Sequence, residues 1–273
     1  MLGKLIKNDM KSGFYTVINV YIAAFAAIAL MLFGVFAKSE MIKSLSSFAL
    51  MVIMIFVVIF TFFAVIMMFS KSVYGNVGYL TLSLPVKEWE LVFSKTLTGI
   101  TFVLISYISF IVSSAVLFFY MSGQKGAEML LEFWQQSEEF GLPGKDTFLL
   151  FLLVKSIFGL VSIFFVVASL HMSASLINIS KIDKFGTAGS IIIFAFITSV
   201  LKSIAKGAGE LVNFHTVIHG KQVYFTFSNS FVSTQKAMGA LSFEISQYFV
   251  LLLLSVALSA GTAFLIKKKI NLK

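Results

Sequence analysis

Cysteine and arginine are both missing from this 273-residue chain, proline occurs twice, and charged side chains make up only 12%. The missing cysteine excludes disulfides, thiolate metal sites and a cysteine nucleophile. The missing arginine makes the formal net charge of +9 a lysine charge. The shortage of charge excludes a water-soluble globule. Soluble proteins carry roughly 25% charged residues, and no aqueous surface can be built from a chain that is 59% hydrophobic with mean hydropathy +0.98. Lipid is the solvent for most of it. A phosphate-binding loop is missing as well. Gly144-Lys145 runs into Asp146 and Gly220-Lys221 into Gln222, where such a loop needs serine or threonine. No hydrophilic stretch is long enough to hold an ATPase.

What is present is a series of long apolar runs. A membrane-crossing helix needs about 20 mostly apolar residues. Six runs qualify, at about residues 15–37, 45–69, 97–121, 148–179, 185–201 and 245–266. The expected fold class is an all-α integral membrane protein with six transmembrane helices in a single transmembrane domain, residues 1–273. Ahead of the first run, Leu2, Leu5, Ile6, Met10 and Phe14 fall at helical spacing, with Lys4, Lys7, Asp9 and Lys11 opposite. That pattern predicts an N-terminal amphipathic helix in the membrane interface, not a cleavable signal. Larger outer segments are expected at 122–147 and 202–244. In the first, Ala127, Leu130, Leu131 and Trp134 share a helical face, a short surface helix closed by GLPGK. In the second, VIHGKQVYFTF alternates over Val223–Phe227 with a turn near Gly220, which reads as a small hairpin. A helical or re-entrant element is the alternative there.

Six spans put both ends on one side. That side carries twelve lysines against four acids, the other nine against eight. The positive side faces the cytoplasm, so both termini are expected inside a cytoplasmic membrane. The lysines sit at the ends of apolar runs, which points to membrane orientation and not to nucleic acid. The bias toward lysine, isoleucine and phenylalanine fits an AT-rich bacterial genome.

Catalytic constellations are sparse. His215 and His219 are four apart, a metal-ligating spacing on a helix. Their segment reads as strand and no acid lies between them, so surface histidines are the plainer reading. His171 falls inside the fourth run, where a hydrogen bond to a neighbouring helix competes with a functional role. Glu138, Glu139 and His171 raise an intramembrane protease as a remote alternative, but those acids fall in an outer segment and that family's arginine is absent. An ion-coupled secondary transporter or channel is the nearer alternative. It would use Lys155 and His171, yet no acid is central in any run. Asn19, Ser106, Ser109, Ser113 and His171 are the candidates for a translocation path; helix packing through the same side chains is the other reading. No catalytic residue, metal or cofactor is expected on this chain.

The segment YGNVGYLTLSLPVKEWELVFSK, residues 74–95, falls in the largest inner link between spans, Ser70–Lys95. Pro85 pushes Leu84 out of helical geometry and suits a first helical turn, with Ser83 as cap. Trp89 belongs at headgroup level. Lys87, Glu88 and Glu90 face water. A compact turn-and-helix element against the inner leaflet is expected between the second and third spans. Its GYLTLSLPVKEWELVFSK resembles the segment after the second span of ABC-2-type permeases, the membrane subunits of ABC exporters. An LTLPV…K pattern recurs there. Leu80, Thr81, Leu82, Leu84, Pro85, Val86 and Lys95 match it, and Ser83 is an insertion. In outline the resemblance covers the whole chain. It implies a type V exporter fold and a second permease subunit, identical or different, as partner. It also implies separate ABC ATPase subunits, which would carry the ATP and magnesium. They would dock through the interfacial helix and a cytoplasmic coupling helix built of Leu82, Leu84, Pro85, Val86, Lys87, Glu88 and Trp89. The cargo implied is an antimicrobial peptide, a drug or a lipid.

Overall fold

The computed structural model describes residues 2–36, 40–75, 78, 86–122, 128, 132, 145–179, 186–227, 229, 232–234 and 240–270. Its long helices are α1 (Leu2–Phe36), α2 (Glu40–Val73), α3 (Glu88–Ser122), α4 (Lys145–Ile179), α5 (Gly186–Val212) and α6 (Ser246–Ile270). Between α5 and α6 come three short strands, β1 (His215–His219), β2 (Gln222–Thr226) and β3 (Leu241–Glu244). All six helices are long and apolar enough to cross a membrane, the pattern of a multi-pass membrane protein. Phe25, Phe56, Ile108, Phe196 and Leu253 are among many large apolar side chains left exposed. In water they would form an aggregation surface; in lipid they are the solvated one.

These helices cover the six expected runs to within one residue at either end, and each extends beyond its run at one end or both. α1 starts at Leu2 and continues unbroken, so the amphipathic start and the first span are one helix. α3 starts at Glu88, well ahead of the apolar run, and α5 continues to Val212, into the expected outer segment 202–244. Apolar windows find the part of a helix that lipid covers; caps decide where it ends. At the start of α3 the Glu90 carboxylate accepts the Lys87 N–H at 3.3 Å, half of a capping box. At the end of α5, Asn213 sits at φ 50 and donates its N–H to the Gly209 carbonyl at 2.9 Å. That is a left-handed C-cap, which asparagine tolerates. The expected surface helix over 127–138 lies outside the described residues, apart from positions 128 and 132.

The chain divides into two units. One comprises Met1–Met121, Val167–Ala195 and Leu258–Lys273, the other Ser122–Val166 and Phe196–Ala257. In the first, the buried stripe of α1 runs through Asp9, Gly13, Val17, Ala24 and Ala27, one face of a helix. Met10 and Phe14, assigned by periodicity to the apolar side, are exposed. The packed face of α1 is thus its small-residue face, and its bulky face is left for lipid, as close helix approach in membranes favours. A Cβ at Gly13 would run into Met68 Cε and the Phe102 ring. Just beyond, Val17, Ala64 and Phe102 form a core flanked by Tyr21, Phe60 and Met68.

In the second unit the strands form an antiparallel sheet in the order β2-β1-β3. His219 faces Gln222 across a turn at Gly220, φ 59, so the expected hairpin is present. β3 is the addition. LSFE abuts the final apolar run and carries no turn signal of its own. Its Phe243 ring meets Phe151 and Phe158 of α4 edge-on, at 5.7 and 5.6 Å, and Tyr248 of α6 at 6.1 Å. The hairpin tip is tied to the start of α4. Gly220 N–H donates to Thr147 Oγ1 at 2.8 Å, and Lys221 pairs with Asp146 at 3.4 Å.

The glycine contact gives the first prediction. Gly13→Leu should lower stability by about 1–3 kcal/mol through overpacking, read as loss of resistance to SDS unfolding in mixed micelles. Gly3→Ala, with open space around it, should leave the unfolding curve in place.

Candidate functional site

Asp9 is the sole acid in α1. The helix turns it away from Lys4, Lys7 and Lys11, which are exposed, onto the packed stripe. There its carboxylate accepts hydrogen bonds from Lys95 Nζ and, at 2.7 Å, from Ser94 Oγ, both on α3. The Asp9 and Lys95 side chains are 7% and 10% exposed, so this is a buried ion pair and not a surface one. Thr98 Oγ1 donates to the Ser94 carbonyl at 2.9 Å, continuing a polar strip down α3.

The pair lines a cavity of about 360 Å3 between the start of α1, the end of α2 and the start of α3, with His171 of α4 at its wall. Asn8, Ser12, Thr16, Lys71, Ser72 and Thr98 supply polar lining; Val65, Met67, Met68 and Phe69 supply apolar lining. His171 is buried, its ring stacked on Phe69 at 4.3 Å and its Nδ1 3.3 Å from Thr96 Oγ1. Just past α2, burial pushes the Tyr74 phenol up to about 12, with Ser175 acting the other way.

The expected translocation residues do not converge. His171 reaches the cavity. Ser106 lies elsewhere, with its Oγ 2.6 Å from both Tyr21 OH and Thr61 Oγ1, a hydroxyl cluster joining α1, α2 and α3. Ser113 is buried, Ser109 half-buried and Asn19 exposed. Of the expected coupling residues, Leu82, Leu84 and Pro85 lie outside the described residues. Val86 and Lys87 precede α3, while Glu88 and Trp89 form its first turn, continuous with the span. Trp89 is 55% exposed. Lys155 is exposed and stands over the Phe151 ring at 5.2 Å. His215 and His219 are four strand positions apart, about 13 Å, too far to share one ion. Among the described residues no three His, Asp or Glu side chains gather as metal ligands.

Sequence reasoning grouped Asp9 with its lysine neighbours and so missed the ion pair. The usable signal was a lone acid in register with Gly13 and Val17. Chemically the arrangement is a fastener. Lys95 engages one oxygen of the Asp9 carboxylate and Ser94 the other, which ties α3 to α1 at this point.

Removing one partner of a buried pair strands the other charge, at a cost of about 3–5 kcal/mol. Asp9→Asn and Lys95→Met should each show that loss in SDS unfolding. The double variant Asp9→Asn/Lys95→Met should lose less than the sum of the two. Strict additivity would mean that the two side chains are not coupled.

Comparison of the chain with family models, with curated proteins and with solved structures returns no match. The reading of function rests on the residues themselves.

Proposed function

We propose that this chain is the membrane-spanning permease subunit of an ABC exporter of the ABC-2 type. It moves an amphipathic cargo, a peptide, drug or lipid, across a bacterial cytoplasmic membrane, with ATP hydrolysed by separate ATPase subunits. It pairs with a second permease subunit. Both termini lie in the cytoplasm, as the lysine distribution favours.

The observation that carries this reading is the buried Asp9–Lys95 pair. A permease without its own phosphate loop has to receive motion from outside and pass it on. The segment that resembles the ATPase-docking element leads directly into α3. Glu90 holds Lys87 at the helix start, and Lys95 follows two turns on, about 12 Å along the axis. A push on the first turn of α3, at Glu88 and Trp89, therefore reaches Lys95 through continuous helix, and the ion pair delivers it to α1. Trp89 and Phe93, one turn apart and half or more exposed, leave an apolar stripe for lipid or partner. The adjoining cavity, with methionine and phenylalanine on one side and hydroxyl, amide and lysine groups on the other, suits an amphipathic molecule. The ion-coupled alternative draws less from these residues. Lys155 is held over the Phe151 ring and His171 between Phe69 and Thr96.

The test is co-purification with an ATP-binding-cassette ATPase co-expressed from the same genome, at matched membrane levels. Leu84→Asp should lose the ATPase. Lys87→Ala, a rim charge worth about 0–1 kcal/mol, should keep it. The folded double variant Asp9→Asn/Lys95→Met should keep the ATPase and its hydrolysis while ATP-driven transport falls. Retention of the ATPase by Leu84→Asp would reduce the segment to a connector, and ATP hydrolysis by the isolated chain would end the assignment.

A further inference from the structure

The sheet of the second unit has two unlike faces. Register places Thr216, Phe225 and Phe243 side by side on one face, and Val217, Tyr224 and Ser242 on the other. The first face is the one turned to the helices, since Phe243 packs on Phe151, Phe158 and Tyr248. It does not end there. Phe225 is on β2, the edge strand, two strand spacings or about 10 Å from Phe243. Beside it Phe227 and Phe225 stack on Phe214, at 4.5 and 6.2 Å. Phe225 is 59% exposed and Phe227 67%. Leu211 and Val212, the last residues of α5, are exposed next to them in the chain. Three aromatic rings and the apolar end of a membrane-crossing helix thus form one overhang. Meanwhile His219 and Gln222, on the opposite face, are exposed and polar.

The level of this overhang follows from α6. Tyr248 and Lys267 lie on one helix, 19 residues or about 28 Å apart, close to the roughly 30 Å thickness of a bilayer core. With the lysines at one boundary, Tyr248 is at the other, where amphipathic rings collect. Phe243 touches Tyr248, and Ser246 Oγ donates to the Gly209 carbonyl at 2.9 Å, bringing the end of α5 to that level too. Lys155, exposed over Phe151 and two turns or less from Phe158, is the kind of long cationic side chain that snorkels there.

We propose that the Phe214–Phe225–Phe227 overhang, with Leu211 and Val212, is inserted in the headgroup–acyl boundary of the leaflet at this end of the helices. The sheet is then an interfacial lipid anchor, with His219 and Gln222 at the hairpin tip turned to water while Val217 and Tyr224 of the same face pack against Val232 and Ala240. The occupant is lipid because the overhang extends the same face, at the same level, that already packs on membrane-crossing helices. This inference requires a multi-pass membrane protein and is independent of any ATPase.

The chain lacks cysteine, so single-cysteine variants need no background removal. Phe227→Cys and Phe225→Cys would carry an environment-sensitive fluorophore in lipid nanodiscs, with Gln222→Cys as the water-facing reference. A nitroxide high on the lipid acyl chain should remove about half or more of the emission at 227 and 225, as expected for rings at headgroup level, and little at 222. Aqueous dithionite should bleach 222 quickly and spare the other two. Equal bleaching at all three positions, without lipid quenching, would place the rings in water and overturn the proposal. Protection at 227 and 225 without lipid quenching would also overturn it, since protein, such as a second copy, would then be the cover. The two aromatic positions are exposed on the protein surface and separately labelled, so misfolding of one variant leaves the other to decide.

Discussion

A carboxylate buried between apolar helices has to be neutralised where it lies, because burial strips away most of the solvation that a charge has in water. Asp9 is neutralised by Lys95 and Ser94, and much of the first unit follows from that. The bond fixes the rotation of α1 about its axis, since only one face can present position 9 to α3. The same rotation sends Gly13 against Met68 and Phe102 and Val17 into the core with Ala64, and it leaves Met10 and Phe14 outside. Hydrophobicity could not choose this orientation, because lipid solvates the bulky side of α1 as well as a protein core would. Polarity chooses it. In a chain with 12% charge, one well-placed pair carries orientational information that a soluble helix would spread over a whole polar face.

That logic also separates what the sequence made legible from what it hid. The six apolar helices were readable because about 20 apolar residues are a length requirement that any membrane-crossing helix meets. The hairpin was readable from strict alternation and a glycine turn. Helix ends were not, since α3 is capped by Lys87, whose N–H is satisfied by Glu90, and α5 by Asn213, just past Val212; neither signal stands out against polar neighbours. β3 was hidden because four residues beside a strongly apolar run have no period of their own. The buried pair was hidden for a deeper reason. Amphipathic periodicity assumes that charge faces water, and in α1 the acid is the one charged side chain that does not. The mixed fate of the expected path residues has the same cause. Serines in apolar helices are bought by packing as readily as by transport, and only contacts distinguish Ser106, bonded on two sides, from Asn19, left exposed.

The two units solve different problems with the same scarce polar groups. In the first, polar side chains bond helix to helix. In the second, they act at helix ends: Thr147 of α4 holds the hairpin turn through the Gly220 amide, and Ser246 ties the start of α6 to the end of α5. The sheet therefore hangs from helix ends by a few directed bonds and rests on them through Phe243. On the proposed reading, the first kind of bond carries motion and the second holds the outer structure in place.

The hydroxyl cluster of Tyr21, Ser106 and Thr61 has a polarity of its own. Thr61 Oγ1 is 2.7 Å from the Val57 carbonyl and spends its single proton there. It can then only accept from Ser106, which in turn can only accept from Tyr21. The three protons point the same way, from α1 through α3 to α2, and the line ends on a backbone oxygen that has no proton to pass on. A conducting proton wire needs every link to be able to turn over. This one is a ratcheted clasp: it transmits position between helices, and it insulates against charge.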